Sequence, residues 1–396
     1  MARTLRRACV IVLDSVGMGE MPDAPRYGDT GADTLGHIAQ AMGGLHVPTL
    51  EGLGLGNVTR PTPLAGVQRV AHPRGSYGKM SERADGKDTT TGHWEMAGYV
   101  VPRPFSYYPK GFPPEILDRW CAEIGVSGVL GNKPASGTEI ITELGEEHER
   151  TGKPIVYTSA DSVFQVAAHE SVVPLEKLYD WCRKARKILD EHNVARVIAR
   201  PFVGQKGKYT RTYNRHDYSL VPSQPTVLDH LKAAGLPVVG VGKIPDIYAD
   251  RGITEKVHTE GNADGINRTV ELLKTREDGL IFTNLVDFDM MYGHRRDPKG
   301  YHQALLDFDK GLPRILEALR EGDLLMITAD HGNDPTFPGS DHTREYAPLI
   351  CFAPSRKEGS DLGVRGSFAD LGETLREGFG LQEKLPVGQS FLAQVL

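Results

Sequence analysis

Cysteine is scarce in this sequence. The 396 residues include four cysteines, and these are widely separated: Cys9, Cys121, Cys182 and Cys351. No CxxC pair is present, which argues against a zinc ribbon or a dithiol redox site, and a disulfide framework is not expected in a chain of this length. Any metal site must therefore use imidazole and carboxylate ligands, for which the chain offers 14 histidines and 52 acidic residues.

Long apolar runs and an excess of positive charge are also missing. No stretch approaches the roughly 18 apolar residues of a membrane span. The basic start of the chain is followed by an apolar run too short for a secretory signal. The 46 basic and 52 acidic residues give a net charge of −6, which argues against binding nucleic acid through phosphate contacts. We therefore expect a cytoplasmic protein with no membrane or nucleic-acid partner.

Short apolar runs rich in β-branched residues recur along the chain and indicate buried strands. They lie at residues 9–13, 155–158, 237–241, 280–286, 324–328 and 349–353. Continuous rather than alternating apolar residues are typical of parallel strands buried on both faces. Amphipathic helical patterns lie at residues 226–234, 262–274, 301–320 and 367–379. The alternation predicts an α/β fold with a mostly parallel sheet core and helices on both faces.

The middle of the chain has a different pattern. Residues 102–112 and 201–225 are loop-like and rich in proline or glycine, and the segment between them has its own strand and helix patterns. We therefore predict an inserted α/β cap domain at residues 102–217, which contributes to substrate binding. The catalytic core would be discontinuous and would comprise residues 1–101 and 218–396. With an average of about 150 residues per domain, the length fits two or three units.

Acidic residues and histidines follow several of the predicted strands. They are Asp14, Asp289, His294, Asp330 and His331, with His342 in the next loop. Taken singly, an aspartate at a strand end usually caps a helix or forms a turn. Because parallel strands end at one edge of a sheet, these side chains are expected to meet there. Carboxylate and imidazole ligands suit Mn²⁺, Zn²⁺ or Mg²⁺, and the set is larger than one ion usually takes, so we expect two ions.

Three consecutive threonines, Thr89, Thr90 and Thr91, follow Asp88 ahead of a helix-like stretch. A hydroxyl at a helix N-terminus lies near the positive end of the dipole. Beside a divalent ion its alkoxide would be stabilised as a nucleophile. An ordinary threonine-rich helix cap explains the same residues, and the pattern alone slightly favours that interpretation.

Five segments together resemble the prokaryotic phosphopentomutase family of alkaline-phosphatase-like metalloenzymes. They are VLDSVGMGE (12–20), GKDTTTGHWEMAG (86–98), TSADSVFQ (158–165), DFDMMYGHRRD (287–297) and TADHGNDPT with SDHTREYAPL (328–349). The resemblance covers nearly the whole chain, and no ligand position departs from the family pattern. It implies the alkaline-phosphatase-like fold for the core.

The resemblance also implies roles for individual residues. Asp14, Asp330 and His331 would hold one metal ion, with the nucleophile completing its shell. The second ion, typically Mn²⁺ like the first, would be held by Asp289, His294 and His342. The family places its nucleophile four residues before an equivalent histidine, here His93, which favours Thr89. Thr90 and Thr91 are the alternatives, and spacing alone does not separate them.

The implied reaction interconverts ribose 1-phosphate and ribose 5-phosphate, and likewise the 2-deoxyribose phosphates. A phosphothreonine enzyme would donate its phosphoryl group to form a 1,5-bisphosphate and then take back the other one. A sugar bisphosphate, such as glucose 1,6-bisphosphate or ribose 1,5-bisphosphate, would act as the phosphorylating activator. The partners would be small pentose phosphates. The sequence does not indicate an oligomeric state.

The phosphate distant from the metals needs its own cationic site. Arg200, Arg211 and Lys243 are candidates, since arginine binds phosphate bidentately and lysine binds it as a point charge. They could equally be ordinary surface cations. Ser159 and Asp161 could contact sugar hydroxyls, and closure of the cap would exclude water from the phosphothreonine.

Three other functions fit parts of the same sequence pattern. Cofactor-independent phosphoglycerate mutase is similar in pattern, but it uses serine as its nucleophile and has a longer chain. A plain phosphomonoesterase would transfer the phosphoryl group to water. An inactive metal-binding protein would be expected to lack a ligand or the threonine cluster, and this chain retains all of them.

Overall fold

The computed structural model of the chain describes residues 3–159 and 162–396. These residues form two compact units, one comprising Met1–Arg103 and Pro222–Leu396 and the other Pro104–Val221. Both ends of the chain therefore contribute to the first unit, and the second is a single continuous segment. In the part of the chain that the structure describes, no helix combines the length and apolar character required to cross a membrane.

The strands are numbered in chain order. They are β1 (Arg7–Leu13), β2 (Ser76–Met80), β3 (Leu130–Pro134), β4 (Ile155–Thr158), β5 (Val163–His169), β6 (Arg196–Val203), β7 (Thr210–Arg211), β8 (His216–Ser219), β9 (Val238–Val241), β10 (Glu255–Val257), β11 (Gly279–Leu285), β12 (Asp323–Thr328), β13 (Ala347–Phe352) and β14 (Asp361–Arg365).

The α-helices are numbered in the same way. They are α1 (Thr34–Ala41), α2 (Pro48–Gly52), α3 (Thr89–Met96), α4 (Pro114–Ile124), α5 (Gly137–Thr151), α6 (Leu175–Asp190), α7 (Val227–Ala233), α8 (Ile244–Ile247), α9 (Asn262–Thr275), α10 (Pro298–Ala318), α11 (Ala369–Gly378) and α12 (Leu392–Val395). Short 3₁₀ turns lie at Ala24–Tyr27 and Leu55–Asn57, and one π-helical turn lies at Phe288–Gly293.

The first unit is built on one sheet of strand order β10-β9-β11-β1-β12-β13-β2-β14. Strand β1 is buried along its whole length and pairs in parallel with β11 and β12. In register, Leu13 pairs with Leu285 and Val12 with Thr328, so these three strands end at the same level. The polar residues that follow them are therefore delivered to one edge of the sheet.

Helices cover both faces of this sheet. On β11, the Thr283 hydroxyl lies 2.8 Å from that of Thr269 in α9, whereas the ring of the adjacent Phe282 packs 6.0 Å from that of Tyr248, just after α8. Successive residues of a strand point to opposite faces, so α8 and α9 lie on different sides. The predicted α/β fold, with a mostly parallel sheet between helices, is confirmed.

Strand β13 differs from the expected parallel pattern. It pairs antiparallel with both β12 and β2. The apolar run at 349–353 indicated a buried strand, but burial on both faces does not encode direction. A loop connects β12 to β13 without a crossover helix, and a direct return of this kind favours an antiparallel neighbour.

The second unit has a sheet of strand order β3-β4-β5-β6-β7, with β8 pairing with β6. Alternate residues of β4 enter different cores. Val156 packs in a cluster with Trp120 of α4 and Trp181 of α6. Tyr157 packs in a second cluster with Ile140 of α5. Helices α4 and α6 therefore cover one face of this sheet and α5 covers the other.

Candidate metal centre

Four acidic or histidine side chains lie just beyond the ends of three neighbouring strands. Asp14 follows β1, Asp289 lies in the π-helical turn after β11, and Asp330 and His331 follow β12. All four are buried, with Asp14 only 2% exposed. The loop from β12 to β13 adds His342. The parallel register of the strands is therefore what brings residues distant in sequence together.

Asp14, Asp330 and His331 form one group that could hold an ion, since one potential ligand atom from each lies within 4.8 Å of the others. His331 Nε2 lies 3.6 Å from Asp14 Oδ1 and 3.2 Å from Asp330 Oδ2. Two carboxylates and an imidazole are a typical donor set for a divalent cation.

A second group is formed by Asp289, His331 and His342, again with one potential ligand atom from each within 4.8 Å of the others. His342 Nε2 lies 3.4 Å from Asp289 Oδ1 and 3.1 Å from His294 Nε2. His294 Nε2 in turn lies 3.1 Å from Asp289 Oδ2. The structure thus brings together all six side chains singled out in the sequence. It also places His331 within reach of both groups, whereas the resemblance implied it for the first alone.

The histidine rings are oriented by backbone carbonyls. Nδ1 of His294 lies 2.8 Å from the Ser340 carbonyl, and Nδ1 of His342 lies 2.8 Å from the Lys87 carbonyl. Nδ1 of His331 is 3.1 Å from the Gly332 carbonyl. Because a carbonyl only accepts, each Nδ1 carries a hydrogen in these contacts, which leaves Nε2 as the ring atom available to a metal ion. Imidazoles that bind metals usually have this second hydrogen bond.

Burial and mutual repulsion dominate the electrostatics. Burial raises the pKa of Asp14 well above its usual range, and the charges of Asp330 and Asp289 raise it further. Burial also acts to raise the pKa of Asp330 and of Asp289. For both residues the neighbouring histidines outweigh it, so that these pKa values fall below normal. The centre therefore concentrates negative charge that has little access to water.

The donor atoms fit a bound cation. Among the described residues, none donates a hydrogen bond of adequate geometry to Asp14 Oδ1 or Asp330 Oδ2, although both atoms are buried. Leaving a buried carboxylate oxygen without a partner costs about 1–3 kcal/mol or more. A divalent cation would satisfy both oxygens and would offset the repulsion between the two carboxylates. The thiol-free donor set suits a hard or borderline ion.

Thr89 is the first residue of helix α3 and lies beside the centre. Its Oγ1 is 3.2 Å from His331 Nε2. Asp88 caps the helix by accepting from the backbone N–H groups of Thr90 and Thr91. The Thr91 hydroxyl donates to Asp88 and is buried. Of the three threonine hydroxyls, that of Thr89 is the one seen in contact with the histidines among the described residues.

Several supporting residues were not identified from the sequence. Asn284 Nδ2 donates to Asp14 Oδ2 at 2.8 Å. His93 Nδ1 lies 2.8 Å from the Thr89 carbonyl and 3.2 Å from Asp330 Oδ2. The signal that could have revealed Asn284 is an amide inside the mostly apolar strand β11. His93 lies within the quoted GKDTTTGHWEMAG segment, where the sequence reasoning used it only to locate the nucleophile.

The candidate phosphate-binding cations lie in different units. In the second unit, Arg200 and Arg211 line a cavity of about 490 Å³ together with Arg215. Lys243 belongs to the first unit and precedes α8. Ser159 directly follows β4 in the second unit. Asp161 lies outside the described residues, so the structure says nothing about its predicted role.

Comparisons with known proteins identify the family of this chain. A family model described as the metalloenzyme superfamily matches residues 6–383. The chain is 60% identical over 395 residues to a phosphopentomutase of Anaeromyxobacter dehalogenans, covering 100% of both chains. It is 57% identical over 392 residues to a phosphopentomutase of Caldanaerobacter subterraneus, covering 99% of this chain and 98% of that protein.

More distant solved structures share the fold. A phosphoglycerate mutase of Leishmania mexicana is 12% identical, with a TM-score of 0.50 and coverage of 98% of this chain and 97% of that chain. A Pyrococcus horikoshii protein is 15% identical, with a TM-score of 0.51 and coverage of 97% and 100%. The full-length relatives, together with the family model, settle the classification. This chain is an enzyme and a member of the phosphopentomutase family, within the metalloenzyme superfamily.

Proposed function

We propose that this enzyme interconverts ribose 1-phosphate and ribose 5-phosphate, and the corresponding 2-deoxyribose phosphates, through a phosphothreonine at Thr89. The observation that carries the proposal is the position of Thr89 Oγ1, 3.2 Å from His331 Nε2 at the centre of the histidine and carboxylate cluster. The names of the full-length relatives support the choice of a pentose phosphate as substrate.

Two divalent cations, expected to be Mn²⁺, complete the site in this proposal. Asp14, Asp330 and His331 would hold one ion, and Asp289, His294 and His342 the other, with His331 in reach of both groups. Bound ions of this kind neutralise phosphoryl oxygens and lower the pKa of a neighbouring hydroxyl. The fit is supported by Asp14 Oδ1 and Asp330 Oδ2, two buried oxygens that accept no hydrogen bond from the described residues.

Thr89 would act as a relay for the phosphoryl group. The free hydroxyl of the sugar monophosphate attacks the phosphorus on Thr89, so that a new O–P bond forms and the Thr89 O–P bond breaks. The proton of the sugar hydroxyl is balanced by protonation of the released Thr89 oxygen. The resulting 1,5-bisphosphate then reorients in the site, so that its other phosphate faces Thr89. Thr89 takes this phosphoryl group by the reverse step. A sugar bisphosphate would load the unphosphorylated enzyme in the same way.

The phosphate that is not reacting would bind in the cavity of the second unit. Arg200 and Arg211 line this cavity. No carboxylate of a described residue pairs with Arg211, and the buried Tyr157 hydroxyl beside it has no hydrogen-bond partner among the described residues. A phosphate would offer both an anion to Arg211 and an acceptor to the Tyr157 hydroxyl. Ser159 and Asp161 are proposed to contact sugar hydroxyls, and Lys243 is proposed as a further phosphate contact.

The test is turnover of ribose 5-phosphate with Mn²⁺ and a trace of glucose 1,6-bisphosphate, followed by ³¹P NMR. The proposal expects ribose 1-phosphate to appear until the two esters reach equilibrium. Thr89→Ala should abolish this exchange, while the adjacent Thr90→Ala serves as the matched control and should retain it. Release of inorganic phosphate alone would identify a phosphomonoesterase, and full activity of Thr89→Ala would eliminate the assigned nucleophile.

A further inference from the structure

Arg296 connects several parts of the candidate metal centre without touching the cluster itself. Its Nη1 donates to Asn333 Oδ1 at 2.8 Å. Asn333 is fully buried, and its Nδ2 donates to Asp289 Oδ1 at 2.7 Å. A continuous chain of hydrogen bonds therefore runs from the guanidinium to one carboxylate of the second group.

The same guanidinium holds the loop that follows Asn333. It donates to the backbone carbonyls of Asp334 and Asp341, at 2.8 and 3.2 Å, and also to that of Gly339. The tip of this loop is exposed, so hydrogen bonds such as these, rather than apolar packing, hold it in place. The loop supplies the Ser340 carbonyl that orients His294, and it ends at His342.

The backbone of Arg296 adopts an unfavourable conformation. Its φ is +55°, in the left-handed region that costs a non-glycine residue about 1 kcal/mol or more. Glycine would adopt this conformation without cost. An arginine held there indicates that the side chain provides something that offsets the strain, and strained residues of this kind cluster at functional sites.

We propose that Arg296 is a positioning residue for the second metal group. It orients Asp289 through Asn333, and it fixes the loop that orients His294 and delivers His342. All three side chains implied for the second ion thus depend on one guanidinium. Among the described residues, the contacts that orient the first group come from elsewhere: Asn284 donates to Asp14, the Ser15 N–H donates to Asp330, and the Gly332 carbonyl orients His331. This inference deepens the proposed function and rests on its two-ion site.

The test uses the full-length enzyme, stripped of metal and titrated with Mn²⁺ by calorimetry and by EPR of the free ion. Arg296→Gly removes the side chain and also relieves the backbone strain. We expect the affinity of one of the two ions to fall by about 10–100-fold, the usual effect of losing a partner of a metal ligand. The affected ion should be the one that Asp289→Asn also weakens, and the other should bind as in the wild type.

The adjacent Arg295→Gly is the matched control, because Arg295 is exposed and should leave both affinities unchanged. A thermal midpoint of the metal-free protein close to that of the wild type would separate positioning from a general structural role. Equal weakening of both ions, or no weakening, would overturn the inference. If Arg296→Gly does not fold, Asn333→Ala decides: an unchanged affinity for both ions would also overturn it.

The two proposals fail in distinguishable ways. A wild-type enzyme that binds fewer than two Mn²⁺ ions would contradict the proposed two-ion site itself. A wild type with two ions and an Arg296→Gly variant with the same two affinities would contradict the role of Arg296 alone.

Discussion

His342 Nδ1 donates to the backbone carbonyl of Lys87 at 2.8 Å. Lys87 lies two residues before Thr89, so a side chain of the second metal group is hydrogen-bonded to the segment that carries the proposed nucleophile. Thr89 Oγ1 in turn contacts His331. Two separate contacts therefore fix the start of helix α3 against the loop after β12, and any displacement of that helix should affect the chemistry.

Gly92→Ala tests this coupling. A Cβ at Gly92 would lie 2.2 Å from the backbone carbonyl oxygen of Asp330, so α3 would have to move away from the end of β12. A displacement near 1 Å can reduce turnover by about 100-fold. We expect a loss of that order in kcat for ribose 5-phosphate. Gly366→Ala, where a Cβ meets open space, is the control, and wild-type turnover by Gly92→Ala would contradict the expected coupling.

Asp14→Asn tests the charge concentrated at the centre. Burial and the neighbouring carboxylates raise the pKa of Asp14, so its ionised form destabilises the metal-free protein. Neutralising it should stabilise the metal-free enzyme at pH 8 by about 1–3 kcal/mol, while weakening Mn²⁺ binding. Chemical unfolding with and without Mn²⁺ measures both effects. Asp118→Asn, at an exposed position on α4, should change neither the stability of the metal-free protein nor its Mn²⁺ binding. A metal-free Asp14→Asn protein less stable than the wild type would contradict the prediction.

Glu345 gives a pH-dependent prediction. Burial raises its pKa to about 7 from the usual 4.5. The protonated carboxyl contributes its full stabilisation of the folded protein below pH 4.5. This contribution is lost as the pH rises through 7, which lowers the free energy of unfolding by roughly 3 kcal/mol in all. Glu345→Gln should remove the loss, because its oxygen can accept from the Thr34 and Gly19 N–H groups while its amide donates to the hydroxyls of Thr34 and Thr343.

The measurement is the free energy of unfolding of both metal-free proteins between pH 5 and 8. The difference between them cancels the titration of other groups. The wild type should lose stability relative to Glu345→Gln as the pH rises. A difference that stays constant over this range would show that the Glu345 carboxyl titrates outside it.

Arg211→Ala tests the proposed phosphate cavity. Losing one charge-assisted hydrogen bond costs about 1.5–3 kcal/mol, so KM for ribose 5-phosphate should rise by roughly 10–100-fold. Mn²⁺ affinity should not change, because Arg211 lies in the second unit and the metal groups lie in the first. Lys206→Ala, an exposed cation paired with Glu146, is the control. An unchanged KM in Arg211→Ala would exclude it as a phosphate ligand.

Much of the fold and centre could be predicted because the signals are local. The buried run before Asp14 and the run before Asp330 both predicted strands, and the parallel register of β1 and β12 then determines that the residues after them meet. The direction of β13 could not be predicted, because apolar composition is the same for parallel and antiparallel strands. Nor could Arg296 be identified, since its role depends on three-dimensional contacts that leave no periodic pattern in the sequence.

The role of Thr89 is tested by locating the phosphoryl group on the enzyme. The Mn²⁺-loaded protein is incubated with glucose 1,6-bisphosphate, and the reaction is quenched. The intact mass of the protein is then measured by mass spectrometry, and a digest is used for phosphopeptide mapping. We expect one added phosphate, on Thr89, that disappears when ribose 5-phosphate is added and is absent from Thr89→Ala. A phosphate mapped to Thr90 or Thr91, or no adduct on an enzyme that still forms ribose 1-phosphate, would contradict this role.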